Sequence, residues 1–127
     1  MPSSPLLTYV LPLRIVSEAN LREHFRAKSR RVKRHRRTAW VHTLRAFGDS
    51  TAIAAALMFP VVVTMTRVAP RTLDDDNLAS AFKATRDGIA DALCDGDDRD
   101  PRVTWRVAQE RGAAKVYAVR VEIARAL

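Results

Sequence analysis

The stretch from Pro60 to Leu93, PVVVTMTRVAPRTLDDDNLASAFKATRDGIADAL, decides the fold. Its first part, Pro60–Val68, is apolar and β-branched and predicts a buried strand that ends at Ala69–Pro70. Asp74–Asn77 then form a polar start to a helix, because apolar side chains recur on one helical face from there until about Cys94. The sequence therefore predicts a strand followed by a helix that packs against it.

A strand and a long helix are predicted before this stretch. The strand is Leu6–Val16, and because Pro12 has no N–H to give to a ladder we expect it to lie at an edge or to be bulged. The helix is Leu21–Ala46, since Asn20 and Glu23 form a capping-box pattern at its start. The apolar residues expected to form its buried stripe are Phe25, Val32, Ala39, Trp40 and Leu44.

Two further strands are predicted after it. Val103–Gln109 and Lys115–Ile123 alternate between apolar and polar residues, and the turn Glu110–Ala113 between them predicts an antiparallel hairpin. Thr51–Met58 stays open between the end of a helix and a loop. The order strand, helix, strand, helix, strand, strand predicts a single α+β domain over residues 1–127, with a small mixed sheet and helices packed on it.

Charge is the second informative property of the chain. The formal net charge is +8 with a pI near 10.7, which indicates a polyanionic partner. Basic residues are concentrated in the helical segment 21–46, and they predict contact with DNA phosphates; a solvated helix face is the alternative. The residues predicted to bind DNA are Arg26, Lys28, Arg30, Arg31, Lys33, Arg34, Arg36 and Arg37, together with Arg67 and Arg71 beside the acidic motif.

Several classes of protein are disfavoured by the composition. No run of about 18 apolar residues is present, so no membrane span is expected. The first residues lack the basic region and cleavage site of a signal peptide. Cys94 is the one cysteine, so no disulfide can form within the chain. These features are those expected of a cytoplasmic protein.

An acidic cluster suggests a metal site. Asp74 and Asp76 are two residues apart, so in an extended segment their side chains point to the same side and would grip one hard cation such as Mg²⁺. Further ligands would come from the acidic loop that follows the helix, at Asp97, Asp98 or Asp100. The alternative is that the first acids cap a helix and the loop acids are solvated.

A lysine in the same helix has the right chemistry to assist phosphate hydrolysis. Lys83 would stabilise charge on a reacting phosphate, and Asp87, four residues later, would hold it by an ion pair. An ordinary surface ion pair is the alternative.

The string LDDDNLASAFKATRDGIADAL followed by DGDDRDPRVTWRV resembles the signature of the RusA family of Holliday junction resolvases, and the resemblance covers about residues 71–107. That family, common in phages and prophages, carries Asp-x-Asp-Asn, a helix with a lysine and an aspartate four residues apart, and then an Asp-Asp pair before a strand. Asp74, Asp76 and Asn77 match the first part, and Lys83 and Asp87 match the second. The family's usual lysine position is Ser80 in this chain, three residues before Lys83.

The resemblance implies a homodimeric endonuclease that resolves four-way DNA junctions with Mg²⁺, for which Mn²⁺ would be a substitute. It implies metal ligands at Asp74 and Asp76, with the metal site completed by Asp98 or Asp100, or else by Asp97. It also implies Lys83 as a further catalytic residue. The competing hypotheses are a DNA- or junction-binding protein with the same fold and no activity, and a nuclease directed at RNA.

Overall fold

A computed structural model describes residues 5–17, 25–48, 60–94, 96 and 98–126. The strands and helices in these ranges follow the predicted order. They are β1 (Leu7–Leu11), α1 (Phe25–Phe47), β2 (Val61–Ala69), α2 (Asp75–Ala81), α3 (Lys83–Leu93), β3 (Val103–Arg111) and β4 (Ala118–Arg125). The predicted cap at Asn20 and Glu23 and the ambiguous stretch Thr51–Met58 lie outside the described residues.

The four strands form one mixed sheet in the order β1-β4-β2-β3. The sheet confirms the predicted α+β class, but the predicted hairpin between β3 and β4 is wrong. β3 runs parallel to β2, with Val61 opposite Val103, because the helices between them carry the chain back across the sheet before β3 begins. β4 runs antiparallel to β2 on its other side and also pairs with β1.

β1 is an edge strand, as predicted from its proline. Among the described strands it pairs with β4 alone. It ends at Leu11, directly before Pro12, so its ladder is shorter than the predicted Leu6–Val16. Beyond the proline the chain continues without ladder pairing, although Leu13 and Ile15 remain buried. This continuation brings the segment up to Ser17 against the end of β2.

One face of the sheet is covered by the helices. Alternate residues of β2 and β4 point into a core that also receives side chains from all three helices. The fully buried members from β2 and β4 are Val61, Val63, Met65, Val119, Val121 and Ile123. The architecture is therefore two layers, with the helices on one side of the sheet.

The helix predicted after Asp74–Asn77 is divided into two at Phe82. The backbone N–H of Phe82 donates to the carbonyl of Ala79, 3.3 Å away and only three residues back. This tighter turn ends α2 and lets α3 begin at Lys83. The Phe82 side chain is 1% exposed and lies in the core, so its burial stabilises the junction between α2 and α3.

The buried side of α1 differs from the predicted apolar stripe. Its buried residues are His35, Ala39 and Thr43, whereas Phe25 is 70% exposed. A polar contact accounts for the burial of Thr43, because the Tyr9 and Thr43 hydroxyls lie 2.6 Å apart and link β1 to α1. Burial of the phenol raises the pKa of Tyr9 well above its usual value, and the hydrogen bond with Thr43 lowers it by a smaller amount.

Gly88 sets how closely α1 and α3 pack. A Cβ on Gly88 would lie 2.1 Å from the carbonyl oxygen of Arg36 and 2.8 Å from the Cβ of Ala39. Both distances are shorter than van der Waals contact, and the first involves backbone that cannot rotate away. The glycine that weakens α3 as an isolated helix is therefore required for its packing.

The Gly88→Ala variant is expected to unfold more easily, by about 1–3 kcal/mol, because overpacking forces the two helices apart. Helix propensity alone predicts the opposite sign, a gain of about 1 kcal/mol. Urea unfolding measures the difference. The control is Ala79→Gly, at an exposed helix position, where the change in stability reflects helix propensity and not packing. A Gly88→Ala protein that is more stable than the parent would contradict the close contact between α1 and α3.

Candidate nucleic-acid and metal site

Four basic residues form an exposed stripe along α1, which we call the α1 stripe: Arg30, Lys33, Arg34 and Arg37. Their spacing of three, four and seven residues places them on one helical face. At 100° per residue, that face is opposite the one that buries His35, Ala39 and Thr43. None of the four forms a salt bridge within the described parts of the chain. The stripe therefore presents positive charge directly to solvent.

Four further basic residues of α1 have contacts within the molecule: Arg26, Lys28, Arg31 and Arg36. Arg36 donates two hydrogen bonds to Asp91 of α3, at 2.7 and 2.8 Å. This bidentate pair raises the pKa of Arg36 and ties α1 to α3, so the predicted DNA contact at Arg36 has a structural role. Arg26 and Lys28 are exposed, and the Arg26 guanidinium lies 5.9 Å from the centre of the Phe25 ring. Arg31 is half-buried.

The Asp-x-Asp motif lies at the start of α2. Asp74 is the N-cap residue with extended backbone, but Asp76 is already in the first helical turn. The prediction that both carboxylates project from an extended segment is therefore wrong, because helix formation begins at Asp75 and residues two apart on a helix do not face each other. Asp74, Asp75 and Asp76 are exposed, and Asn77 is half-buried.

Lys83 stands at the centre of a cluster of charges. Its Nζ donates to Asp87 Oδ1 at 2.9 Å, which confirms the predicted ion pair, and to Asp98 Oδ2 at 2.8 Å. Arg86 adds a second cation, with its Nε 3.1 Å from Asp98 Oδ2. Asp98 and then Asp87 raise the pKa of Lys83, and the bond from Lys83 lowers the pKa of Asp98. The loop after α3 thus folds back to the first turns of that helix.

Two loop contacts fix the remaining acids. The indole Nε1 of Trp105 donates to the backbone carbonyl of Asp98 at 2.9 Å, which fastens the loop to β3. The Asp100 carboxylate accepts from the Arg102 backbone N–H at 2.9 Å and from its guanidinium at 2.8 and 3.1 Å. These bonds lower the pKa of Asp100 to about 2. Asp97 lies outside the described residues.

The four predicted metal ligands do not form one group. Across the residues that the structure describes, no three His, Cys, Asp or Glu side chains are close enough to hold a metal ion. Asp98 and Asp100 are engaged by cations, whereas Asp74 and Asp76 form no salt bridge within the same ranges. Exposed carboxylates have the chemistry that Mg²⁺ prefers, and Mg²⁺ is commonly bound by only one or two of them with waters and substrate phosphates. Asp74 and Asp76 are therefore the two predicted ligands whose carboxylates have no salt bridge to the described residues, although they do not face each other at the start of α2.

Arg67 and Arg71, the predicted DNA contacts beside the motif, differ from each other. Arg67 is 7% exposed, and its guanidinium donates to the backbone carbonyls of Ile15, at 2.9 Å, and of Arg71. Burial lowers its pKa. Arg71 is exposed. The end of β2 thus carries one buried arginine and one surface arginine in front of the acidic motif.

Gln109 of β3 holds the segment between Arg71 and Asp74 in place. Its side-chain oxygen accepts from the Leu73 backbone N–H at 2.8 Å, and its Nε2 donates to the Leu73 carbonyl at 2.7 Å. The side-chain amide of Gln109 thus makes the two hydrogen bonds with the Leu73 backbone that a neighbouring strand would otherwise make. Sequence reasoning missed this residue because a glutamine in a strand gives no signal of such a role.

No protein-family model matches the sequence, and no curated protein and no solved structure shows significant similarity to it. None of the helices within the described ranges is long and apolar enough to cross a membrane. Function is therefore inferred from the residues and their geometry.

Proposed function

We propose that this protein is a Mg²⁺-dependent endodeoxyribonuclease that cuts four-way DNA junctions, in the manner of the RusA family that its sequence resembles. The observation that carries the proposal is the cluster of Lys83, Asp87 and Asp98. These three residues are separate positions of the signature, spread over 16 residues of sequence. The Lys83 Nζ lies 2.9 Å from an Asp87 carboxylate oxygen and 2.8 Å from an Asp98 carboxylate oxygen. The shared contact supports a single site rather than unrelated surface charges.

DNA binding would be supplied by the α1 stripe. From Arg30 to Arg37 the helix rises about 10 Å, enough for its cations to meet successive phosphates of a strand. Each phosphate that a cation neutralises releases condensed counterions, so binding is expected to weaken steeply with salt. The absence of any acidic residue from α1 means that nothing on this helix opposes the approach of DNA.

The residues proposed to hold Mg²⁺ are Asp74 and Asp76. Bound there, the ion would neutralise charge on the scissile phosphate and lower the pKa of the attacking water. Mn²⁺, which accepts the same oxygen ligands, is expected to replace it. Asp98 and Asp100 are given structural roles instead, because Lys83 and Arg102 engage them.

Lys83 is proposed to contact the phosphate itself. An ammonium group has three N–H donors, and two of them are used on Asp87 and Asp98. The third is available for a phosphate oxygen, and the two carboxylates fix the position from which it donates. The raised pKa of Lys83 keeps the group charged at neutral pH.

Symmetric resolution of a junction needs two active sites, so we also propose that the protein acts as a homodimer in the cytoplasm of a bacterial or phage-infected cell. This part of the proposal comes from the resemblance.

Cleavage of a labelled synthetic four-way junction tests the function. We expect paired nicks in the junction with Mg²⁺, none with EDTA, and none in a linear duplex of the same sequence. Cutting of the duplex at the same rate would contradict the proposed selectivity for four-way junctions. A matched structured RNA as substrate separates a deoxyribonuclease from an RNA-directed enzyme.

A second candidate is a junction-binding protein without activity. The observation that favours it is the pairing of Asp98 with both Lys83 and Arg86, which leaves fewer carboxylates for a metal. Tight junction binding with no cutting in Mg²⁺ or Mn²⁺ would establish this candidate in place of the first.

A further inference from the structure

A cavity of about 480 Å³ opens at the carboxyl end of β2, on the side of the segment that leads to Asp74. Its size is within the range of small-ligand pockets. Its polar lining comes from three parts of the chain: the segment after β1, the end of β2 and the residues before β4. The side chains that define its chemistry are Arg14, Ser17, Arg67, Arg71 and Tyr117.

The lining is positively charged. Three arginines line the cavity, and none of the lining residues that the structure describes is acidic. The Arg14 guanidinium lies 4.2 Å from the centre of the Tyr117 ring, so cation and ring stack at the rim. Arg71 supplies a second exposed cation on the opposite segment. Such a set of groups suits an anion attached to a flat or apolar body.

Arg67 is a buried cation with spare donors. A guanidinium has five N–H groups, and Arg67 uses its Nε and one Nη on the carbonyls of Ile15 and Arg71. No carboxylate within the described residues forms a salt bridge with it. Burial of a charge is costly unless a counter-charge accompanies it. An anion in the cavity would supply that counter-charge.

Ser17 provides a second, independent indication. It is 7% exposed, and its hydroxyl oxygen is buried with no hydrogen-bond partner among the residues that the structure describes. Buried hydroxyls nearly always have a partner, so a lone one lining a cavity points to a ligand group that completes it. Ser17 and Arg67 are both among the residues that line the cavity.

We propose that this cavity binds the phosphate of a nucleotide, with Arg67 and Ser17 donating to its oxygens, Arg14 and Arg71 at the rim, and Tyr117 against the nucleoside. The choice of DNA as the source of that nucleotide rests on the proposed function. The segment after Arg71 leads within three residues to Asp74 and is held by Gln109, so a phosphate in the cavity lies beside the acidic motif. The cavity would thus hold a DNA phosphate next to the one that is cut.

Titration with 2′-deoxyadenosine 5′-monophosphate, followed by calorimetry and by the ¹⁵N resonance of Arg67 Nε, tests the site. Ser17→Ala and Arg71→Gln are each expected to weaken binding about tenfold or more, because each removes a donor to a charged group. Removal of a hydroxyl that has no partner leaves folding intact, so Ser17→Ala should melt at or above the parent temperature. The matched control is Arg106→Gln, an exposed arginine on β3 that does not line the cavity.

The outcomes separate the site from the proposed function. Loss of nucleotide and junction binding together in Ser17→Ala and Arg71→Gln, but not in Arg106→Gln, supports a DNA phosphate site. Loss of nucleotide binding alone assigns the cavity to a free nucleotide and overturns the DNA source. Equal binding by all variants, or an Arg67 resonance that does not move, overturns the site. A protein that binds the nucleotide through these residues but not junction DNA would retain the site while the proposed function fails.

Discussion

Replacing Asp76 by asparagine is expected to lower the rate of junction cleavage by about 100-fold or more while leaving junction binding in EDTA unchanged. Removal of a residue that only hydrogen-bonds to a metal ligand typically lowers metal affinity or activity about 10–100-fold. Removal of a direct ligand should lower activity at least as much. The variant keeps the size of the side chain and the start of α2. The measurement is single-turnover cleavage of the labelled junction, with binding measured separately by gel shift.

Asp75→Asn is the matched control. Asp75 is the neighbouring acid in the same first turn, equally exposed, and its loss has the same effect on net charge and on the helix dipole. It should cut at nearly the parent rate. Equal loss in both variants would show that the acids act as helix-stabilising charges, and full activity in both would contradict the metal site.

Neutralising three residues of the α1 stripe is expected to weaken junction binding on the order of 100-fold at 50 mM salt. The variant is Arg30→Gln with Arg34→Gln and Arg37→Gln, and glutamine keeps the helix because its propensity is close to that of arginine. If each residue meets one phosphate of duplex DNA, the slope of log K against log salt becomes shallower by about 2.7. Fluorescence anisotropy across a salt series measures both quantities.

A second triple variant removes the same amount of charge elsewhere. Arg106→Gln with Arg111→Gln and Lys115→Gln changes exposed residues on β3 and on the turn after it. Its binding should fall much less, and its salt slope should stay near that of the parent. Equal losses in the two triples would show that DNA responds to the net charge of +8 rather than to the stripe.

The sequence predicted which strands and helices form better than it predicted their partners. β2 is mostly valine and threonine, which are β-branched, and it formed where expected. The alternation in β3 and β4 also predicted strands, but alternation says nothing about which strand lies beside which. The parallel pairing of β3 with β2 follows from the crossover through α2 and α3, a constraint of chain connection rather than of local pattern.

The candidate site was predictable only where contacts are local. Lys83 and Asp87 are four residues apart on one helix, so their ion pair follows from helical geometry. The bond from Lys83 to Asp98 depends on the path of a loop, and the bidentate pair of Arg36 and Asp91 joins residues 55 apart. The burial of Arg67 and Ser17 likewise depends on how the segment after Pro12 crosses the end of β2.

The position of β4 also dictates the order in which the domain can be completed. β4 is the last of the described strands to leave the ribosome, yet it lies between β1 and β2 and is the one described strand that pairs with β1. All the other described helices and strands are therefore synthesised between β1 and its ladder partner. Pairings so distant in sequence close slowly, so the finished fold is reached after translation of β4, and loss of that strand would cut the sheet in two.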